Sequence, residues 1–289
     1  MLKYVENKNI NREKWDTLIA NSVNGFVYST SCYLDIVCDN WDALIYDDYH
    51  IVMPLPYKKK YGIKYITQPN FSQQLGIIYI DRPDANVINE FTTFLRNSFL
   101  YFALNINFDN RINNLKFIDK TNLVLNLNNS FDVILSGFSK NTKRNINKAK
   151  KEDFVISVNK DSDVFINFFV SNLTEKVPDK TINVLKNILD YSFKSEIGEV
   201  YSVIKENELL ASVFILKSFN RYIYLAATSS NKGKELRAMF YLLNSFIENN
   251  CNYNKILDFE GSDVEGVKRF YKGFGAEEQN YKHVFKKFF

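Results

Sequence analysis

Two carboxylates and a tyrosine near the C-terminus have the residue types and spacing for acid–base chemistry. Asp258 and Glu260 lie two positions apart in the run Ile256–Glu260, so a strand there places both on one face. A carboxylate whose pKa burial raises can remove a proton, and Tyr271 can protonate a leaving group. Each also has a structural alternative. The carboxylates can cap the strand or pair with Arg269, and Tyr271 can pack in the core.

A polar loop before a predicted long helix is a candidate site for donor phosphate. Free amides at a helix N-terminus attract anions, and here two lysines flank a glycine. The candidate donor-binding residues are Ser230, Asn231, Lys232, Gly233 and Lys234. The structural alternative is that Ser229 or Ser230 caps the helix and Gly233 eases the turn.

A second candidate anion site is the basic helix predicted for residues 139–151. It carries six basic residues and no acidic one. Like charges at helical spacing repel one another, and a bound anion would offset that repulsion. The candidates for binding phosphate of donor or acceptor are Lys143, Arg144 and Lys148. The alternative is a helix face that simply lies in water.

Composition excludes several classes of function. The three cysteines and two histidines have no metal-like spacing, so no metal site is expected. Ser-His-Asp, Cys-His and GxGxxG patterns are missing, which argues against hydrolases, dehydrogenases and metalloenzymes. No apolar run approaches the roughly 20 residues of a transmembrane helix. The start, MLKYVENKNINREKW, lacks a signal-peptide core, and a cytoplasmic location is expected.

The charge lies mainly in the second half of the chain. Residues 1–128 carry 13 basic and 13 acidic residues, so the whole net charge of +4 comes from residues 129–289. This asymmetry indicates an anionic ligand for the second half, while the total is too small to indicate DNA binding.

The element pattern predicts an α/β protein with mixed sheets and two related domains, 1–128 and 129–289. In the second half, helices precede a three-stranded meander, a long helix from Gly233 to Asn250 and a final strand–helix–strand. Gly273 and Gly275 are expected to have positive φ at the end of that last helix. In the first half, Gln73 and Gln74 lie in a polar loop before a strand and are candidates for acceptor contacts.

Two segments resemble known families. VEGVKRFYKGFGAEEQNY is similar to the closing segment of GNAT acyltransferases, in which the tyrosine, here Tyr271, protonates the CoA thiolate. Together, SKNTKRNINKAKKEDFVIS and ILDFEGSDVEGVKRFYKGFGA resemble the Fem-type branch. That resemblance implies two tandem GNAT-like domains in one chain. In the GNAT acetyl-CoA loop register, Ser230, Gly233 and Glu235 occupy the motif positions, and only the glycine matches.

The resemblance implies an N-acyltransferase with acetyl-CoA or another acyl-CoA as donor and no metal. The expected acceptor is a small-molecule amine, on a sugar-nucleotide or a cell-wall precursor. Two alternatives stay open. One is a Fem-type peptidyltransferase that uses aminoacyl-tRNA in forming peptidoglycan bridges, and the other is an inactive GNAT-like protein that binds a glycan or a partner.

Overall fold

The computed structural model describes residues 1–261 and 264–286 and divides the chain into two compact units. Unit 1 comprises Met1–Lys120 and Asn280–Phe289, and unit 2 comprises Thr121–Gln279. Both are mixed α/β structures, as the sequence predicts. Within the described ranges, no helix combines the length and apolar character needed to cross a bilayer.

Unit 1 is a curved sheet with three helices. Its strands up to residue 120 are β1 (Leu2–Val5), β2 (Trp41–Tyr46), β3 (Ile51–Lys60), β4 (Ile63–Thr67), β5 (Ile78–Tyr79), β6 (Phe102–Ile106) and β7 (Phe117–Lys120). Its helices are α1 (Arg12–Asn21), α2 (Ser31–Val37) and α3 (Ala85–Ser98). The Asn11 side chain caps α1 and that of Asp84 caps α3, because each accepts a hydrogen bond from a first-turn amide.

Unit 2 holds the elements predicted for the second half of the chain except its last strand, and it adds one strand from the end of the first half. Its helices are α4 (Phe131–Ser136), α5 (Lys140–Ala149), α6 (Ser162–Ser171), α7 (Asp179–Lys194), α8 (Asn231–Glu235), α9 (Ala238–Asn250) and α10 (Glu265–Gly273). Its strands are β8 (Leu123–Asn126), β9 (Val155–Asn159), β10 (Gly198–Lys205), β11 (Glu208–Ser218), β12 (Arg221–Ser229), β13 (Ile256–Asp258) and β14 (Glu277–Glu278). The sheet order is β14-β8-β13-β12-β11-β10-β9.

The last strand of the chain belongs to the sheet of unit 1. Strand β15 (Tyr281–Lys286) pairs antiparallel with β6 and with β7, giving the order β1-β2-β3-β4-β6-β15-β7, with β5 on β3. At the other end of unit 2, β8 pairs with β13. These pairings place the two divisions of the chain after residue 120 and before residue 280. The sequence pattern instead predicts a single boundary after residue 128.

The predicted long helix from Gly233 to Asn250 is two helices. Helix α8 ends at Glu235, and α9 begins at Ala238 after Arg237, which adopts the left-handed conformation with φ 63°. A non-glycine residue at such φ is uncommon and interrupts a right-handed helix. The periodic apolar residues continue through the break, which is why the sequence pattern does not reveal it.

Candidate active site

A cleft of about 750 Å³ opens at the centre of unit 2. Its walls come from the end of β12, the start of α8 and α9, the segment after β13, and α10. The lining includes Thr228, Ser229, Gly233, Lys234, Arg237, Glu260 and Tyr271. The cleft therefore brings together two residues of the predicted donor loop, Gly233 and Lys234, and both predicted catalytic residues.

The cleft exists because two parallel strands separate. Strands β12 and β13 pair only from Arg221–Ile256 to Ile223–Asp258, after which β12 continues to Ser229 and β13 stops. Every residue of β12 from Tyr224 to Ser229 then lines the cleft. Backbone groups that lose a neighbouring strand need other partners, and the mouth of such a gap offers them to a ligand.

A bulge in β12 shapes one wall of the cleft. Opposite β11, Tyr224 pairs with Ile215 and Ala226 with Phe214, which leaves Leu225 as the extra residue. A bulge bends its strand and turns neighbouring side chains away from strict alternation. The bulge lies within the part of β12 that lines the cleft, and a period-two reading of the sequence cannot anticipate it.

Glu260 reaches the cleft through a left-handed turn. Its φ is 58° and that of Gly261 is 72°. A Cβ at position 261 would lie 2.1 Å from the Thr121 carbonyl oxygen, so only glycine fits there. The predicted strand-end segment continues through Ser262 and Asp263, which lie outside the described residues.

The turn separates Glu260 from Asp258, and the prediction that they share a face is wrong. Asp258 ends β13 and is 1% exposed, whereas Glu260 lines the cleft. Arg221 Nη1 donates to Asp258 Oδ2 at 2.9 Å, and the Glu260 amide donates to Asp258 Oδ1 at 3.0 Å. Burial raises the pKa of Asp258, and Arg221 opposes that rise. Asp258 thus supports the Glu260 turn from below, and its burial leaves no carboxylate surface for the predicted substrate contact.

Tyr271 lies at the base of the cleft with its ring held on several sides. It stacks on Phe259 with 4.6 Å between ring centroids and meets Tyr224 edge-on at 5.6 Å. Burial raises the pKa of Tyr271 well above its ordinary value of 10.0, and the negative charge of Glu260 raises it further. Tyr271 therefore carries its proton into the alkaline range, next to a carboxylate.

The donor loop is built mainly by packing and capping. The Ser230 hydroxyl accepts a hydrogen bond from the Gly233 amide at 3.0 Å, and a Cβ at Gly233 would lie 2.0 Å from the Leu210 carbonyl oxygen. Leu210 is the extra residue of a bulge between β10 and β11. Ser230 therefore caps the helix and Gly233 allows close packing, which are the structural alternatives given for this loop in the sequence analysis. Lys232 Nζ points to Glu208 Oε2 at 2.5 Å, and neither Asn231 nor Lys232 lines the cleft.

Arg237 is a cleft residue that the sequence analysis did not single out. Its Nε donates to Asn145 Oδ1 on α5 at 2.9 Å, and Nη1 donates to the Glu235 carbonyl. Arg237 lies at the left-handed break between α8 and α9 and lines the cleft. Its only sequence signal is a charged residue inside an otherwise apolar helical stripe.

A second cleft of about 770 Å³ lies beside the first and shares Phe240, Gly266 and Phe270 with it. Its polar lining comes from Ser139, Asn141 and Thr142 at the start of α5, and from Arg269 and Lys272 on α10. Gly273 also lines it. Of the two glycines predicted to have positive φ at the end of α10, Gly275 does, at 79°, and Gly273 does not. Gly273 instead allows close packing, since a Cβ there would lie 2.4 Å from Thr142 Oγ1.

The three predicted phosphate ligands on α5 line neither cleft. Lys143 donates to the Ser136 carbonyl at 3.0 Å, Arg144 donates to Asn141 Oδ1 at 2.7 Å, and Lys148 is exposed. Only Ile146 and Ala149, with Thr142, are buried on this helix. Arg144 approaches the second cleft indirectly, through the Asn141 side chain.

The predicted acceptor residues Gln73 and Gln74 lie in unit 1. Gln74 is fully buried, with its Oε1 accepting from the Phe108 amide at 2.8 Å and its Nε2 donating to Gln73. The Gln73 carbonyl accepts from the Asn105 side chain. Gln74 is a structural residue of its loop, because no part of its side chain is open to an acceptor. Among residues 1–261 and 264–286, no cluster of His, Cys, Asp or Glu could hold a metal ion.

The geometry defines a class of protein: two mixed-sheet α/β units, one with a cleft between separating parallel strands. No family model matches the chain, and no curated protein sequence matches it. Solved structures do. FemX is 11% identical over 98% of each chain, with a TM-score of 0.66.

Two GNAT proteins are also similar over nearly their whole length. A GNAT-family acetyltransferase from Colwellia psychrerythraea is 10% identical over 99% of this chain and 98% of its own, with a TM-score of 0.55. A tandem GNAT protein from the clavulanic acid biosynthesis pathway is 10% identical over 99% and 97%, with a TM-score of 0.51. The chain therefore has the tandem GNAT-like fold of the Fem type, as the sequence resemblance predicts.

Proposed function

We propose that unit 2 transfers an acyl or aminoacyl group from an activated donor to an amine. The observation that carries the proposal is the single cleft lined by Gly233, Arg237, Glu260 and Tyr271. One structural neighbour is named an acetyltransferase, which supports transfer chemistry for this fold.

The proposed reaction uses the two titratable groups at the base of the cleft. The amine nitrogen attacks the donor carbonyl carbon, and the bond from that carbon to the leaving oxygen or sulfur breaks. Glu260, or a water that it holds, takes the proton from the amine, and Tyr271 gives a proton to the leaving group. The proton that Glu260 accepts then returns to Tyr271 through water, which restores both groups for the next turnover.

The state of Tyr271 favours an oxygen-ester donor, such as aminoacyl-tRNA. A thiol has a pKa near 8.5, about that of cysteine, so a thiolate gains little from a tyrosine that holds its proton well above pH 10. An alkoxide leaving group is a much stronger base and accepts that proton readily. Arg237 supplies a cation for donor phosphate in the same cleft.

The second candidate donor is an acyl-CoA, whose pyrophosphate the start of α8 would have to bind. The first four amides of a helix lack intrahelical partners, and at α8 Ser230 satisfies only those of Gly233 and Lys234. A pyrophosphate bound at the amides of Asn231 and Lys232 would have to lie outside the cleft, because neither residue lines it. Glu235 and the Lys232–Glu208 pair both weaken the positive potential there.

For the acceptor, we propose an amine on a sugar-nucleotide or a cell-wall precursor. The second cleft supports a phosphate-bearing acceptor, since Arg269 and Lys272 line it and it meets the first cleft at Phe240 and Phe270. Lys272 already pairs with Glu278 at 2.6 Å, which makes Arg269 the stronger phosphate ligand.

Donor binding tests these proposals. A ligand that binds the folded state raises Tm, so acetyl-CoA and an aminoacyl-tRNA are compared at equal excess over the protein. The ester proposal predicts aminoacyl-tRNA binding that weakens steeply with salt and depends on Arg237. Stabilisation by acetyl-CoA alone would select the thioester donor. Binding of a glycan without turnover of either donor would select the inactive alternative.

A further inference from the structure

The β3–β4 hairpin of unit 1 ends in a tip of exposed aromatic and basic residues. Tyr61 and Gly62 form a two-residue turn with φ of 51° and 79°. Glycine and asparagine suit such positions, whereas tyrosine is unusual there. Tyr61 is 93% exposed and Ile63 is 49% exposed. The hairpin therefore carries large apolar side chains at its most projecting point.

Strand pairing gathers these side chains with lysines on one face. Lys60 pairs with Ile63, and Lys58 pairs with Tyr65, so all four project to the same side. They border a groove of about 350 Å³, lined by Lys60, Tyr61, Ile63, Tyr65, Thr67 and Tyr101. Tyr65 and Tyr101 meet edge-on at 6.0 Å and form its floor. We call Lys58, Lys60, Ile63 and Tyr65, together with Tyr61 at the turn and Lys59 on the opposite face of the same strand end, the hairpin patch.

The charge of the hairpin patch is not neutralised within the described part of the chain. Residues 57–67 include four lysines and no acidic residue. Lys64 is bound on the opposite face, where its Nζ lies 2.8 Å from Asp42 Oδ2. Of the described residues, none forms an ion pair with Lys58, Lys59 or Lys60. Three clustered ammonium groups beside exposed tyrosine and isoleucine call for an anionic partner with an apolar layer.

We propose that the hairpin patch docks the protein on an anionic lipid bilayer. Tyrosine prefers the membrane interface, isoleucine enters the apolar boundary, and clustered lysines are attracted to acidic headgroups. A single-stranded nucleic acid fits less well. It is bound by stacked aromatic platforms and arginine forks, whereas this patch has an aliphatic side chain at its tip and no arginine. The proposal does not depend on the reaction in unit 2.

Vesicle co-sedimentation tests the proposal. The full chain is expected to bind vesicles of phosphatidylglycerol and phosphatidylcholine in equal parts, to release them at high salt, and not to bind phosphatidylcholine alone. The triple variant Lys58→Gln, Lys59→Gln, Lys60→Gln should bind about 100-fold more weakly, at about fivefold per lysine. Tyr61→Asn keeps a residue that tolerates the turn and should also weaken binding.

Matched controls separate the hairpin patch from charge alone. Lys140→Gln, Lys150→Gln, Lys151→Gln removes the same charge from the first residue of α5 and from the segment that follows it, and should leave vesicle binding unchanged. In Tyr61→Trp, brominated lipid should quench the new fluorescence, because Trp15 and Trp41 are buried. Equal loss in both triple variants, no binding to acidic vesicles, or RNA binding that only the hairpin variant loses would each overturn the proposal. Unchanged Tm of each variant confirms that it is folded.

Discussion

Arg221 and Asp258 form a buried ion pair, with 2.9 Å between Nη1 and Oδ2, directly behind the turn that presents Glu260 to the cleft. Arg221 begins β12 and Asp258 ends β13, so the pair joins the two strands at the point from which they separate. Their side chains are 5% and 1% exposed. Removing one partner leaves the other charge buried without its counter-ion.

We therefore expect Asp258→Asn to lower the free energy of unfolding by about 3–5 kcal/mol, the usual cost of breaking a buried pair. Chemical denaturation of unit 2 measures it. The matched control is Lys217→Gln, which removes the half-exposed pair with Glu199 and should cost about 0–1 kcal/mol. Equal small losses in both variants would show that Asp258 does not support the fold.

Gly233 provides a second stability test, because its close packing is enough to explain why glycine occupies this position. Gly233→Ala places a Cβ against the Leu210 carbonyl oxygen and should destabilise unit 2 by about 1–3 kcal/mol. Gly266→Ala is the control, since a Cβ there meets nothing within 4 Å and alanine is the better helix former. A Gly233→Ala variant of normal Tm that loses only donor affinity would instead indicate a pure phosphate-binding role.

Arg237 is expected to bind donor phosphate. Arg237→Asn keeps a side chain that tolerates left-handed φ but removes the guanidinium, so Tm should change little. Donor affinity should fall about 10- to 150-fold, the equivalent of a charge-assisted hydrogen bond of about 1.5–3 kcal/mol. Titration of donor at two salt concentrations measures it. Lys232→Gln, which removes a lysine outside the cleft, is the control, and an equal loss there would contradict the assignment.

The raised pKa of Tyr271 predicts the pH dependence of transfer. Burial and the Glu260 charge both favour the protonated phenol, so the proton stays in place as the pH rises through the ordinary value of 10.0. The alkaline limb of the single-turnover rate should therefore lie above about pH 10. In Glu260→Gln the alkaline limb of the residual rate should shift to lower pH, because the Glu260 charge no longer helps to raise the pKa of Tyr271. A wild-type limb below pH 9 would exclude Tyr271 as the acid.

Local patterns predict much of the fold but only part of the site. The α/β class, the α7 and α9 stripes and the β10–β12 meander follow from periodicity, and the cleft does join Gly233, Glu260 and Tyr271. Periodicity does not predict three other features, which are the break at Arg237, the bulge at Leu225 and the turn at Glu260. They depend on backbone conformations that tertiary packing imposes, with Gly261 as the only local signal. The ion-pair partner of Asp258 is Arg221, which is distant in sequence. The alternative partner given in the sequence analysis, Arg269, is nearer in sequence and is wrong for Asp258.

The most direct test of the central claim is single-turnover loss of the acyl group from the bound donor, in wild type and in the variants Glu260→Gln and Tyr271→Phe. Tyr271→Phe keeps the ring on Phe259, so its donor affinity should stay within about twofold. We predict that each variant slows transfer by about 10²–10⁴-fold, the contribution of a general acid or base. Wild-type rates in both variants would contradict the claim that this cleft carries out acyl transfer.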